Sequence, residues 1–125
     1  MARANEVTFV GSFSIPEGAF DEWTMAITDM IDFVTANSPR IVSFNAYVNE
    51  DHTEGTVVYV HPDSESLEQH LELAASRIGK GVQMVRTIRI ELYGDPSDAV
   101  VDRLRGISEM SNQFPVTVKR HLYGS

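Results

Sequence analysis

The chain carries four histidines, one tryptophan and no cysteine, and among these His70 stands where a leucine would be expected. Counting from Leu67, the positions His70, Leu71, Ala74, Ala75 and Ile78 follow at the spacing of one buried helical face. A histidine in that stripe points inward. Its ordinary pKa near ~6.5 lets it give or take a proton at working pH, so His70 is the candidate catalytic residue. The competing reading is a core histidine whose ring bonds a sheet carbonyl or Tyr59. Tyr59 and His61 lie two residues apart on one side of a strand and can face the same space. Asn45 and Tyr47, with Asn49, form a hydrogen-bonding row able to hold a quinone or phenol, or to sit in a dimer interface or in water. Trp23 offers either core packing or a flat platform at a pocket rim. The candidate substrate-binding set is therefore Trp23, Asn45, Tyr47, Tyr59 and His61.

Other chemistries lack their spacing. Without cysteine there is no disulfide, thiolate zinc site or cysteine nucleophile, and His52, His61, His70 and His121 show no HxxxH or HExxH pattern. No metal or other cofactor is expected. The glycines of GKG at 79–81 follow a helix, whereas a phosphate cradle opens one. Ser76 and Ser108 sit in helices with no evident base, and GxSxG is absent. Ten basic against eighteen acidic side chains give a net charge of -8, which repels phosphate backbones and anionic lipid. Neither nucleic acid nor a membrane is an expected partner. No stretch reaches the ~18 apolar residues of a membrane span, and the N-terminus lacks a signal-peptide run, so a soluble protein is expected. The absence of cysteine is compatible with the cytoplasm.

The elements that must position these residues follow from periodicity. At 125 residues the chain fits a single domain with a real core. Val7 to Ile15 alternates as a strand, and the stripe Phe20, Trp23, Ile27, Met30, Ile31 and Val34 predicts a helix ending near Asn37, Ser38 and Pro39. Ile41 to Asn49 is a second strand, with Val42, Phe44, Ala46 and Val48 opposing Ser43, Asn45, Tyr47 and Asn49. A polar turn returns the chain antiparallel as Thr56 to His61. Pro62 stops that ladder, and Asp63 or Ser64 caps a helix that Gly79 and Gly81 should end near Ile78. Met84 to Tyr93 predicts a fourth strand with Ile88, Ile90 and Leu92 on one face. A helix capped by Asp95, striped by Val100, Leu104 and Ile107, and a strand over Pro115 to Tyr123 complete the chain.

The order is β-α-β-β-α-β followed by α-β. The class is thus α+β, a ferredoxin-like antiparallel sheet with helices on one face over residues 6–93, plus a C-terminal helix-strand extension over 94–125. The bare face, read as carrying Val or Phe at alternate positions, needs a cover, so a homodimer packed sheet to sheet is expected.

The opening strand followed by PEG at 16–18 and a long helix, Pro39 ahead of the second strand, and VVYVHPDSESLEQHL at 57–71 resemble the dimeric α/β-barrel superfamily. The likeness is greatest to its antibiotic biosynthesis monooxygenase-like group. ELYGDPSD at 91–98 and beyond is similar to a C-terminal extension of some members. The resemblance implies a pocket between sheet and helices and, in some members, oxidation of a bound aromatic substrate without metal or flavin. Other members degrade haem with an asparagine on the first strand plus a tryptophan and a histidine near the second helix. This chain has Gly11 and Ser12 on that strand and no tryptophan on that helix. The resulting expectation is a cofactor-independent monooxygenase-like protein binding a small planar aromatic or quinol-type molecule. The alternative is a non-enzymatic dimeric module for small-molecule binding or assembly.

Overall fold

The alternating run from Val7 becomes β1 (Val7–Ser14), the middle strand of a five-stranded sheet in a computed structural model that describes residues 5–38 and 40–124. Pro39, expected to help end the first helix, lies outside the described residues. The chain continues through α1 (Phe20–Asn37), β2 (Ser43–Val48), β3 (Glu54–His61), α2 (Ser64–Leu73), α3 (Ala75–Met84), β4 (Arg86–Gly94), α4 (Asp98–Glu109) and β5 (Val116–Lys119). Strand order is β2-β3-β1-β4-β5. The first four strands pair antiparallel in the expected ferredoxin-like arrangement. β5 adds itself parallel to β4 after the α4 crossover, so the complete sheet is mixed.

Register decides which side of each strand meets the helices. Phe9 lies opposite Tyr59 and Leu92, and Phe44 opposite Tyr59, so these four share one face. Leu67 and Leu71 from α2 and Val100 and Leu104 from α4 pack onto that face in one cluster. Leu67, Leu71, Leu92 and Leu104 are all fully buried, each contributing roughly 1.5–3 kcal/mol of apolar transfer. The opposite face presents Thr8, Val10, Asn45, Tyr47, Thr56, Val58 and Val60. Its character differs from expectation. The phenylalanines lie under the helices, and the bare side is a mixed surface with a valine strip.

Five local expectations are corrected. One long helix over 64–78 is replaced by two, broken at fully buried Ala74, with Gly79 and Gly81 inside α3. Glycine costs a helix about 1 kcal/mol without forbidding it, and α3 offsets that cost by laying Ile78 and Met84 against the interior. Ala75, expected inward, is exposed beyond the break. On β4 the register slips between the partners of Ser12 and Phe13, leaving Ile88 as an extra residue. That bulge reverses the alternation, burying Thr87 where Ile88 was expected. Ser97 caps α4 instead of Asp95: its hydroxyl accepts from Val100 N–H at 3.2 Å, while Asp95 pairs with Arg120. β5 ends at Lys119, so Leu122, expected on its apolar side, is exposed.

Asp63 does cap α2, accepting from Ser66 N–H at 2.9 Å. Ser64 then accepts from Ser97 N–H at 2.7 Å, tying the start of α2 to the start of α4. These caps fix the rotation of α2, and through it the direction of His70.

Candidate functional site

His61 ends β3 on the helix-covered side, and the two-residue link into α2 folds Ser66 and His70 back over it. Ser66 and His70 are four apart, one turn on the same helix face. The result is a buried chain of three polar groups. Ser66 Oγ lies 2.7 Å from His61 Nδ1, and His61 Nε2 lies 2.9 Å from His70 Nδ1. All three residues are at most 1% exposed. His70 therefore bonds neither a sheet carbonyl nor Tyr59. It stacks on the Tyr59 ring with centroids 4.3 Å apart, and Tyr59 stacks in turn on Phe9 at 4.2 Å.

Burial sets the electrostatics. Desolvation pushes the His61 imidazole down to about 4, with nearby Asp63 opposing and Arg40 adding to the effect. It pushes His70 down to about 3, the His61 ring adding to the penalty. Desolvation raises the Tyr59 phenol well above its ordinary value. At neutral pH the site holds two neutral imidazoles and a protonated phenol.

His70 and Tyr59 form part of the wall of a cavity of about 110 Å³ between sheet and helices. Phe9, Phe44, Val57 and Ile90 form its floor, Leu71, Leu104 and Phe114 one side, and Trp23 lies on the wall beside Phe13 and Val85. Thr87, brought in by the bulge, is its one wall hydroxyl besides Tyr59 among the described residues. The wall is incomplete between α1 and α3, where Ile27, Met30, Ile78 and Gly81 are only half-buried. Nδ1 of His70 is engaged by His61, and among the described residues Nε2 has no protein partner. No fully enclosed side-chain nitrogen or oxygen among those residues lacks a partner, so Nε2 keeps some exposure, and His70 lines the cavity.

Three of the six predicted site residues thus line one space, namely His70, Tyr59 and Trp23, with His61 directly behind His70. Asn45 and Tyr47 are elsewhere. Their partners are Val58 and Thr56, which places both on the bare sheet face, and Tyr47 is 56% exposed. They are corrected as companions of His70: alternation puts them on the side opposite Phe44, and Phe44 is the β2 residue that touches the site. Sequence reasoning missed Ser66, whose i,i+4 relation to His70 was a usable signal, and Thr87, which only the bulge reveals. His52 stacks on Phe20 near the surface and His121 is exposed, so the four histidines do not converge. Among the described residues no three acidic or histidine side chains gather as a metal would require. No helix among the described residues is long and apolar enough to cross a membrane.

No family model and no curated protein matches the sequence. Solved structures do match. MupZ from Pseudomonas fluorescens superposes with a TM-score of 0.74 at 20% identity, over 97% of this chain and 94% of its own. SnoaB, a cofactor-independent oxygenase from Streptomyces nogalater, gives 0.64 at 20% identity over 75% of this chain and 96% of its own. A Bacteroides thetaiotaomicron protein named as a candidate antibiotic biosynthesis monooxygenase gives 0.62 at 15% over 74% and 88%. The latter two leave out about a quarter of this chain, the size of the segment after Tyr93, whereas MupZ spans α4 and β5 as well. The chain has the ferredoxin-like α+β fold of these three structures.

Proposed function

We propose that the protein is a cofactor-independent enzyme of monooxygenase type, acting on a small planar aromatic or quinol-type molecule held in the cavity, with His70 meeting the substrate's oxygen. One observation carries the reading: a buried, neutral imidazole with a free nitrogen at an apolar hollow. The fold shared with SnoaB, itself a cofactor-independent oxygenase, supports it. The net change replaces the two hydrogens of a ring methylene, in the keto tautomer of a phenol, by one oxygen. Dioxygen supplies that atom and leaves with the other as water, the substrate providing all the electrons. The cavity encloses most of one ring at best, being smaller than the ~150 Å³ hollow that holds benzene in an engineered protein. A second ring would project between α1 and α3.

The test uses 1-naphthol, which this reaction would convert to 1,4-naphthoquinone and water. Expected are oxygen uptake with naphthoquinone formation, quenching of Trp23 fluorescence on binding, and loss of turnover in His70→Ala. Gly81→Leu is the second variant. Position 81 shares a face with Ile78 and Val85, and an added Cβ there meets no atom within 4 Å, so leucine would enter the hollow. It should abolish binding while its higher helix propensity keeps α3 intact. Turnover unchanged in His70→Ala would remove His70 from the reaction. A wild-type protein that neither binds nor oxidises naphthol would favour the second reading, a binding or assembly module whose hollow is too small for a substrate, since pockets for drug-sized ligands span ~300–1,000 Å³.

The reading includes a homodimer in the cytoplasm, packed through the bare sheet face. Its support is the strip Val10, Val58 and Val60 with exposed Tyr47 beside it. Sedimentation should give twice the chain mass, and Tyr47→Glu should shift it toward the monomer.

A further inference from the structure

We infer that Ser66 and His61 are positioning residues that hold His70 with its proton on Nε2, so that the cavity offers an N–H donor and selects ligands presenting a carbonyl-type acceptor oxygen. The substrate class deepens, and rests on, the reading of the cavity as a small-molecule site, whereas the proton placement stands on the geometry alone.

A chain of one hydroxyl and two neutral imidazoles can run in two directions. In the first, Ser66 O–H donates to His61 Nδ1, His61 Nε2–H donates to His70 Nδ1, and His70 Nε2–H emerges at the cavity. In the second, every proton is reversed. His70 Nδ1–H donates to His61 Nε2, His61 Nδ1–H donates to Ser66 Oγ, and His70 presents a bare nitrogen. The two directions make the same internal bonds and differ at their ends. Among the described residues Ser66 Oγ has His61 as its one side-chain partner, and Ser66 is 1% exposed. In the second direction its O–H therefore has nowhere to point. The first direction leaves the His70 Nε2–H without a protein partner instead, but at the cavity, where a water or a ligand oxygen can accept it, whereas the Ser66 O–H is enclosed, so the first direction is favoured. Burial keeps both rings from taking an extra proton, His61 at about 4 and His70 at about 3, so one proton per ring is the state that matters near neutral pH.

The consequence reaches the ligand. An N–H aimed into a hollow walled by carbon meets a carbonyl or enolate oxygen, and the bond strengthens as negative charge develops there. A ligand offering only C–H at that point leaves the donor unpaired. The keto tautomer of a phenol supplies the acceptor that the phenol itself offers less well.

Long-range nitrogen-proton correlation of the histidine rings at neutral pH reads the proton placement directly, with no ligand present. Expected are His61 and His70 both with Nε2 at the shift of a protonated ring nitrogen and Nδ1 at that of a bare one. His70 with its proton on Nδ1 would overturn the assignment, and this wild-type measurement needs no variant to fold. In Ser66→Ala neither direction pairs His61 Nδ1, the preference set by the hydroxyl is lost, and the His70 shifts should move toward the average of the two directions. His70 shifts unmoved by Ser66→Ala would remove Ser66 as a positioning residue. Acetophenone and ethylbenzene then test the ligand class, since they differ by a carbonyl in place of a methylene. Acetophenone should move the His70 Nε2–H resonance and ethylbenzene should not; equal movement overturns the acceptor preference. If neither binds while both rings carry their proton on Nε2, the proton assignment stands and the small-molecule reading fails.

Discussion

Acidification should unfold this protein through its two buried histidines well before its carboxylates matter. His61 and His70 are neutral in the folded state down to about 4 and about 3, while in the unfolded chain each takes a proton near the ordinary value of 6.5. Both folded values lie below the unfolded one. Hence the native state is favoured fully above about pH 6.5 and loses ground as pH falls from there, because only the unfolded chain binds the extra protons. Between about pH 7.5 and pH 5 each histidine should cost about 2 kcal/mol, and the pair about 4 kcal/mol, a large share of the ~5–15 kcal/mol stability of a small domain. Asp51, Asp63 and Glu91 also titrate below their ordinary values, which places their effect below that window. Falling net negative charge acts the other way, so the comparison must be internal. Urea unfolding, followed by the fluorescence of Trp23 as the sole tryptophan, should be run at several pH values on the wild type and on His70→Gln, which cannot charge. About half of the wild-type loss should disappear in the variant. Parallel curves, or a wild-type loss below about 1 kcal/mol, would show that these rings are not buried as described.

Further predictions concern how the cavity wall is held. A Cβ added at Gly55 would lie 2.6 Å from the Trp23 ring, so Gly55→Ala should force the indole aside, cost about 1–3 kcal/mol and shift the tryptophan emission. Gly94 has φ of +115° and a Cβ there would sit 2.1 Å from the Glu6 carbonyl oxygen, so Gly94→Ala should lower the thermal midpoint by several degrees through strain at the β4 end. Ser97→Ala removes the α4 cap and should cost about 1 kcal/mol in chemical denaturation, with the urea slope unchanged.

The site depends on a few junctions more than on any one element. The β3 to α2 link sets Ser66 and His70 above His61, the Asp63 cap fixes the phase of α2, and the bond from Ser97 N–H to Ser64 locks α2 against α4. Each uses a polar group close to a helix start, where unpaired N–H groups are available to be bound. A hollow of about 110 Å³ can survive in so small a core because its walls come from α1, α2, α3, α4 and four strands, none of which can collapse into it without breaking its own ladder or helix.

Alternation and helical spacing alone determined the order of elements, the helix-covered ferredoxin-like sheet, the inward direction of His70, and the shared side of Tyr59 and His61. Each of these is a local property, because the side chain's direction follows from its place in a period of 2 or 3.6. Only the tertiary structure decided which face of β2 met the helices, so Asn45 and Tyr47 were legible as a row but not as lying away from His70. The same holds for the β4 bulge that turns Thr87 inward, since a bulge exists only relative to its partner strand. It holds for the helix break at Ala74, where packing overrides the glycine signals that follow. The pairing of His61 with His70 also waited on the fold: nine residues separate them in sequence, and only the turn at Asp63 brings their nitrogens to 2.9 Å.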